Sequence, residues 1–97
     1  MPFAIVLAPE AVEDLSTLKP NVRSGVRIAI ETHLRHEPMK TSRSRIKRLR
    51  SFNRPQFRLR IGEIRIFYDV SGSTVEILAI VAKSEAQSWL EQFGSHE

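Results

Sequence analysis

Ten residues between positions 40 and 65 are basic: Lys40, Arg43, Arg45, Lys47, Arg48, Arg50, Arg54, Arg58, Arg60 and Arg65. Glu63 is the one acid among them, so this stretch carries +9 while the rest of the chain carries −5 and the whole only +4. Charge gathered in this way makes a local field that draws polyanions, which a whole-chain average conceals. Eight of the ten are arginine, whose planar fork matches the oxygens of a phosphate. Three have a spacing suited to chemistry as well as attraction. Arg58 and Arg60 alternate with Phe57, Leu59 and Ile61, which puts both on one face of a strand. Arg65 follows across the short Gly62-Glu63 turn, and Lys83 closes the last strand expected in this region. Cations held in advance around a phosphate stabilise charge that develops on it without a metal.

The elements that must position these residues are legible in the pattern. Phe3–Ala8 is a short run of β-formers and reads as a buried strand. Pro9 opens a helix with Glu10, Glu13 and Asp14 near its positive end. A second helix runs from about Pro20 to His36, with Val22, Val26, Ala29, Ile30 and Leu34 at helical spacing. Gly25 inside it costs about 1 kcal/mol relative to Ala, which close packing of two hairpin helices would account for. Met39 to Arg45 is a polar loop, and Lys47 to Phe52 a short strand. Gln56–Ile61, Ile64–Val70 and Thr74–Ala82 are three strands of a meander, separated by Gly62-Glu63 and Ser71-Gly72-Ser73. The last element is a helix with a capping box, Ser84 at the N-cap and Gln87 three residues on. Ala86, Trp89, Leu90 and Phe93 form its apolar face. The fold class expected is α+β: an N-terminal strand, a helical hairpin, an antiparallel meander and a C-terminal helix, in one domain over residues 1–97.

The 97 residues include no cysteine. That excludes a disulfide framework, thiolate metal sites and a cysteine nucleophile. The longest apolar runs, Phe3–Ala8 and Ile77–Ala82, fall far short of the ~20 residues of a membrane span. No cationic stretch precedes the first of them, so it does not read as a secretory leader. The expectation is a cytoplasmic domain with no membrane partner, no metal and no cofactor.

The segment Phe57-Arg58-Leu59-Arg60-Ile61-Gly62-Glu63-Ile64-Arg65-Ile66-Phe67-Tyr68 resembles the middle of the RelE/ParE superfamily of type II toxin–antitoxin toxins. Ala8-Pro9-Glu10-Ala11, Asp14-Leu15-Ser16-Thr17-Leu18, His36-Glu37-Pro38 and Arg48-Leu49-Arg50 agree in the same order, so the resemblance covers essentially the whole chain. It implies a RelE-like fold whose sheet cradles messenger RNA in the ribosome, and an antitoxin that silences it. RNA-cleaving members place basic strand residues where Arg58 and Arg60 stand, and a phosphate-contacting arginine where Arg65 stands. They carry Gly-His/Lys-Arg after the last strand and a Tyr or His close behind. Here Ala82-Lys83-Ser84 and Trp89-Leu90 occupy those places.

Cleavage of RNA by its own 2′-hydroxyl needs a base, a charge stabiliser and an acid. Arg58, Arg60, Arg65 and Lys83 are the candidates for the stabilising clamp. Glu85 and Tyr68 are the candidates for proton transfer, although a strand tyrosine is more often a core residue with a tethered hydroxyl. Lys40, Arg43, Arg45, Lys47, Arg48 and Arg50 are expected to ride on RNA phosphates without reading sequence. Three functions are open: a ribosome-dependent mRNA endoribonuclease, a ParE-like gyrase inhibitor, and a degenerate toxin acting as co-repressor. Each implies a cognate antitoxin with an acidic, amphipathic segment; the first also implies the ribosome and mRNA as partners.

Overall fold

The computed structural model describes residues 2–96. Strand β1 (Ala4–Leu7) leads into helices α1 (Pro9–Thr17) and α2 (Pro20–Leu34). Both helices begin with proline, whose fixed φ suits a first turn and whose missing N–H is not needed there. Only Leu18 and Lys19 join them, and Arg23 holds the joint. Its guanidinium donates to the carbonyls of Leu15 (3.2 Å), Ser16 (3.1 Å) and Leu18 (2.9 Å), the groups a helix end leaves without partners.

Two short strands, β2 (Ile46–Arg48) and β3 (Phe52–Arg54), precede the meander of β4 (Phe57–Ile61), β5 (Ile64–Ser71) and β6 (Thr74–Ala82). Helix α3 (Lys83–Phe93) and a two-residue strand β7 (Ser95–His96) complete the chain. Five strands form one sheet in the order β1-β6-β5-β4-β2, antiparallel except for the parallel pairing of β1 with β6. The α+β architecture expected from the sequence is the one observed. At the β4–β5 turn Gly62 has φ +54°, a left-handed conformation that glycine adopts without penalty.

Helices α1 and α2 cover one face of the sheet. Ala11, Leu15, Val26, Ile30 and Leu34 there meet Phe57, Leu59, Ile66, Tyr68, Val75 and Ile77. The fully buried Leu34, Leu59, Ile66 and Ile77 each contribute about 1.5–3 kcal/mol of hydrophobic stabilisation. Helix α3 covers part of the opposite face, where Leu90, Ala86 and Trp89 pack on Phe67 and Ala79. Trp89 stacks on Phe67 with centroids 4.9 Å apart and planes 9° from parallel. No helix among the described residues is long and apolar enough to cross a membrane.

Four local expectations are corrected. The first strand is not buried: it lies at the sheet edge, its residues alternating between exposed and half-buried. The strand expected over Lys47–Phe52 breaks in two, because β2 pairs with β4 whereas β3 pairs with β7 from the chain's end. Helix α3 starts two residues early, with Ala82 rather than Ser84 at its N-cap and no side-chain cap. A tertiary bond takes over part of the capping, since the Lys83 N–H donates to the Glu63 carbonyl at 2.7 Å. Gly25 is exposed, and apart from its own stretch of helix no described atom lies within 4 Å of where a Cβ would stand, so helix packing does not require it.

Candidate nucleic-acid interface

Cross-strand register decides which arginines meet. On β4 and β5, Arg58 stands opposite Phe67 and Arg60 opposite Arg65. Directly opposed residues share a face, so all three arginines project on the side that α3 partly covers. Lys47 joins them from β2 as the partner of Arg58, and the Arg60 N–H donates to the Arg45 carbonyl at 2.9 Å. The result is a cationic row running across β2, β4 and β5 beside the aromatic packing of α3.

Its members are held differently. Arg65 is 7% exposed, and its Nη1 donates to the carbonyls of Gly62 (2.9 Å) and Ile64 (3.0 Å). It therefore fastens the hairpin turn as well as lending charge. Arg60 is exposed. Arg58 is half-buried, and its Nε is buried with no hydrogen-bond partner among the described residues. Burial above all, then the neighbouring Arg65 and Arg60 charges, push the Arg58 guanidinium below its usual range. Among the described residues no carboxylate pairs with any of the three. Like charges facing one another beside an orphaned donor form a site that an anion would complete.

Lys83 is exposed at the first position of α3, tied by its backbone to the turn that carries Arg65. Its neighbour Ala82 pairs with Ile64, so the sheet brings the fourth clamp candidate to the same end. Glu85 is exposed in the first turn of α3 and makes no side-chain ion pair among the described residues.

Tyr68 lies elsewhere, which corrects its candidacy for proton transfer at the arginines. It pairs with Phe57, one residue out of step with Arg58, and so projects into the helix-covered core. Its ring stacks on Phe57 at 5.4 Å, and its hydroxyl donates to the Pro38 carbonyl at 2.5 Å. Burial drives its ionisation to far higher pH than a free tyrosine requires.

The basic loop divides in the same manner. Arg43, Arg45, Lys47 and Arg50 are exposed. Lys40 is exposed too and stands 3.6 Å from Glu37. Arg48 is committed internally: its guanidinium lies 5.3 Å from the Phe57 ring centre, and Nη1 donates to the Gln56 carbonyl at 2.9 Å. Sequence reasoning passed over His96, whose ring lies 4.5 Å from that of Phe52, itself packed with Phe67 and Trp89. A two-residue strand leaves no periodic signal by which to place it.

No family model and no curated protein matches the chain by sequence. Solved structures do match. A chain of the RelBE2 toxin–antitoxin complex from Mycobacterium tuberculosis superposes with a TM-score of 0.72 at 26% identity, over 84% of this chain and 92% of that one. A chain of the RelB–RelE antitoxin–toxin complex from Methanococcus jannaschii gives 0.65 at 20% identity, over 87% and 96%. The resemblance carried by the Phe57–Tyr68 segment thus extends to the whole architecture: the chain has a RelE-like fold.

Proposed function

We propose that this chain is the toxin of a type II toxin–antitoxin pair and acts as a RelE-like, ribosome-dependent mRNA endoribonuclease. The observation that carries the reading is the unpaired arginine row, with the orphaned Arg58 Nε at its centre. Arg58, Arg60 and Arg65 would hold the scissile phosphate and offset the charge of its crowded transition state, with Lys83 completing the clamp from the start of α3. Arg43, Arg45, Lys47 and Arg50 would rest on surrounding RNA phosphates. Likeness to chains of two toxin–antitoxin complexes supports an antitoxin as the silencing partner. The working compartment is then the cytoplasm, where translating ribosomes are.

One observation favours a second reading, a toxin that binds its target without cutting. Tyr68 faces away from the arginines, and the Glu85 side chain makes no bond among the described residues that would aim it at them. In this second reading the target is gyrase, or the chain serves as a co-repressor. Mapping messenger 5′ ends after induced expression separates the two. Breaks phased with codons in translated messages are expected for the first; growth arrest with intact messages would establish the second.

A further inference from the structure

The charge of the molecule reverses on the far side of α3. Between α1 and α3 runs a groove of about 570 Å³. Its apolar lining includes Pro9, Leu78, Val81, Trp89 and Phe93. Phe93 is 60% exposed, a large apolar surface left in water at the groove's margin. Glu10, Glu13 and Asp14 border it from α1, and Arg54 from the strand β3.

These charged groups are not equally free. Asp14 is occupied, its Oδ2 accepting the Ile80 N–H at 3.0 Å. Arg54 is occupied too, at 3.2 Å from Asp69 and 3.3 Å from Glu76. Glu10 and Glu13 are exposed and have no ion pair among the described residues. The groove is therefore apolar with a net negative rim, opposite in sign to the arginine row. From this we infer that the groove between α1 and α3 binds a segment of a partner protein that offers a bulky apolar side chain beside a lysine or arginine.

Charge complementarity selects that occupant. A nucleic acid or an acidic segment meets Glu10 and Glu13 as like charges, whereas a basic one is steered inward. Trp89 and Phe93 then supply the desolvated aromatic contact that sets residence time, with the carboxylates as the polar rim. The partner's identity rests on the toxin reading: on it, the segment belongs to the antitoxin. That antitoxin would contact this chain with segments of both signs, an acidic one over the arginines and a basic one here. The chemistry of the groove does not depend on the reading.

Trp89 is the only tryptophan of the chain, so its emission reports on the groove directly. The test titrates the purified full chain with two synthetic amphipathic peptides of one pattern, leucine with lysine and leucine with glutamate. The leucine–lysine peptide is expected to give a saturable blue shift of Trp89 emission, and the leucine–glutamate peptide none. Replacing both rim carboxylates, Glu10→Gln with Glu13→Gln, should weaken the first response about fivefold. Phe93→Ser, at an exposed position, should weaken it as well. No response to the lysine peptide, an equal response to the glutamate peptide, or indifference to both sets of substitutions overturns the inference. So does an emission shift that grows with protein concentration alone, which would put a second copy of this chain in the groove. Growth arrest and message cleavage are not read in this assay, so a failure here is distinct from a failure of the toxin reading.

Discussion

Arg60 and Arg65 stand directly opposite each other on β4 and β5, two like charges in a position where a sheet normally places partners of opposite sign. Such a pair destabilises the free protein, by about 0.2–1 kcal/mol on the usual scale of cross-strand interactions. Arg60 is exposed and its side chain makes no hydrogen bond or ion pair among the described residues, whereas Arg65 fastens the turn. Arg60→Gln should therefore raise the unfolding free energy by roughly 0.5 kcal/mol while weakening RNA binding. Chemical denaturation and RNA titration on the same sample check both signs. A loss of stability would mean that the row is internally compensated and needs no anion.

How much of this was legible beforehand follows from the period of two. Arg58, Arg60 and Arg65 could be placed together because a two-residue turn fixes the register of β4 against β5. The same parity puts Tyr68 with Phe57 on the other face, so its removal from the site follows from the same register. Contacts between residues far apart in the chain left no such mark. The parallel pairing of β1 with β6, the docking of Ser95–His96 on β3 and the partner of Asp14 all depend on how distant segments meet. Capping of α3 was misplaced for a similar reason, since a carbonyl from the β4–β5 turn takes the Lys83 N–H.

Asp14 gives the clearest instance of such a contact and a second prediction. It reads as a helix-dipole acid, yet its carboxylate accepts the N–H of Ile80, 66 residues away, joining α1 to β6. Asp14→Leu would leave that part-buried N–H without a partner, at a cost of about 1–3 kcal/mol. Asp14→Asn keeps an acceptor oxygen and should lose much less. Equilibrium unfolding of the two variants tests the difference; equal losses would show that charge, not the bond, is what matters at this position.

Gly25 offers a stabilising change. The position is helical and exposed, with open space around the missing Cβ. Gly25→Ala should stabilise the protein by about 0.5–1 kcal/mol through the reduced freedom of the unfolded chain. A rise in denaturation midpoint with an unchanged slope against denaturant is the expected result. A fall would mean that something in the native state approaches this helix face.

His33 supplies the pH dependence. It sits at the end of α2, half-buried, and borders a polar recess with Lys40 and Arg45. Burial first, and then the Arg45 charge, hold its imidazole below the ordinary value of 6.5. The unfolded chain thus binds a proton at a pH where the folded one does not. Stability from this group is fully present above 6.5 and declines as pH falls through the interval down to the folded-state value. Glu37 and Lys40 share the recess and are paired with each other at 3.6 Å. His33→Gln should therefore flatten the stability profile just below pH 6.5, with little change above it. Denaturation curves taken across that range, with the imidazole titration followed by NMR, make the comparison. A wild-type profile already flat there would show that His33 titrates as it would in the unfolded chain.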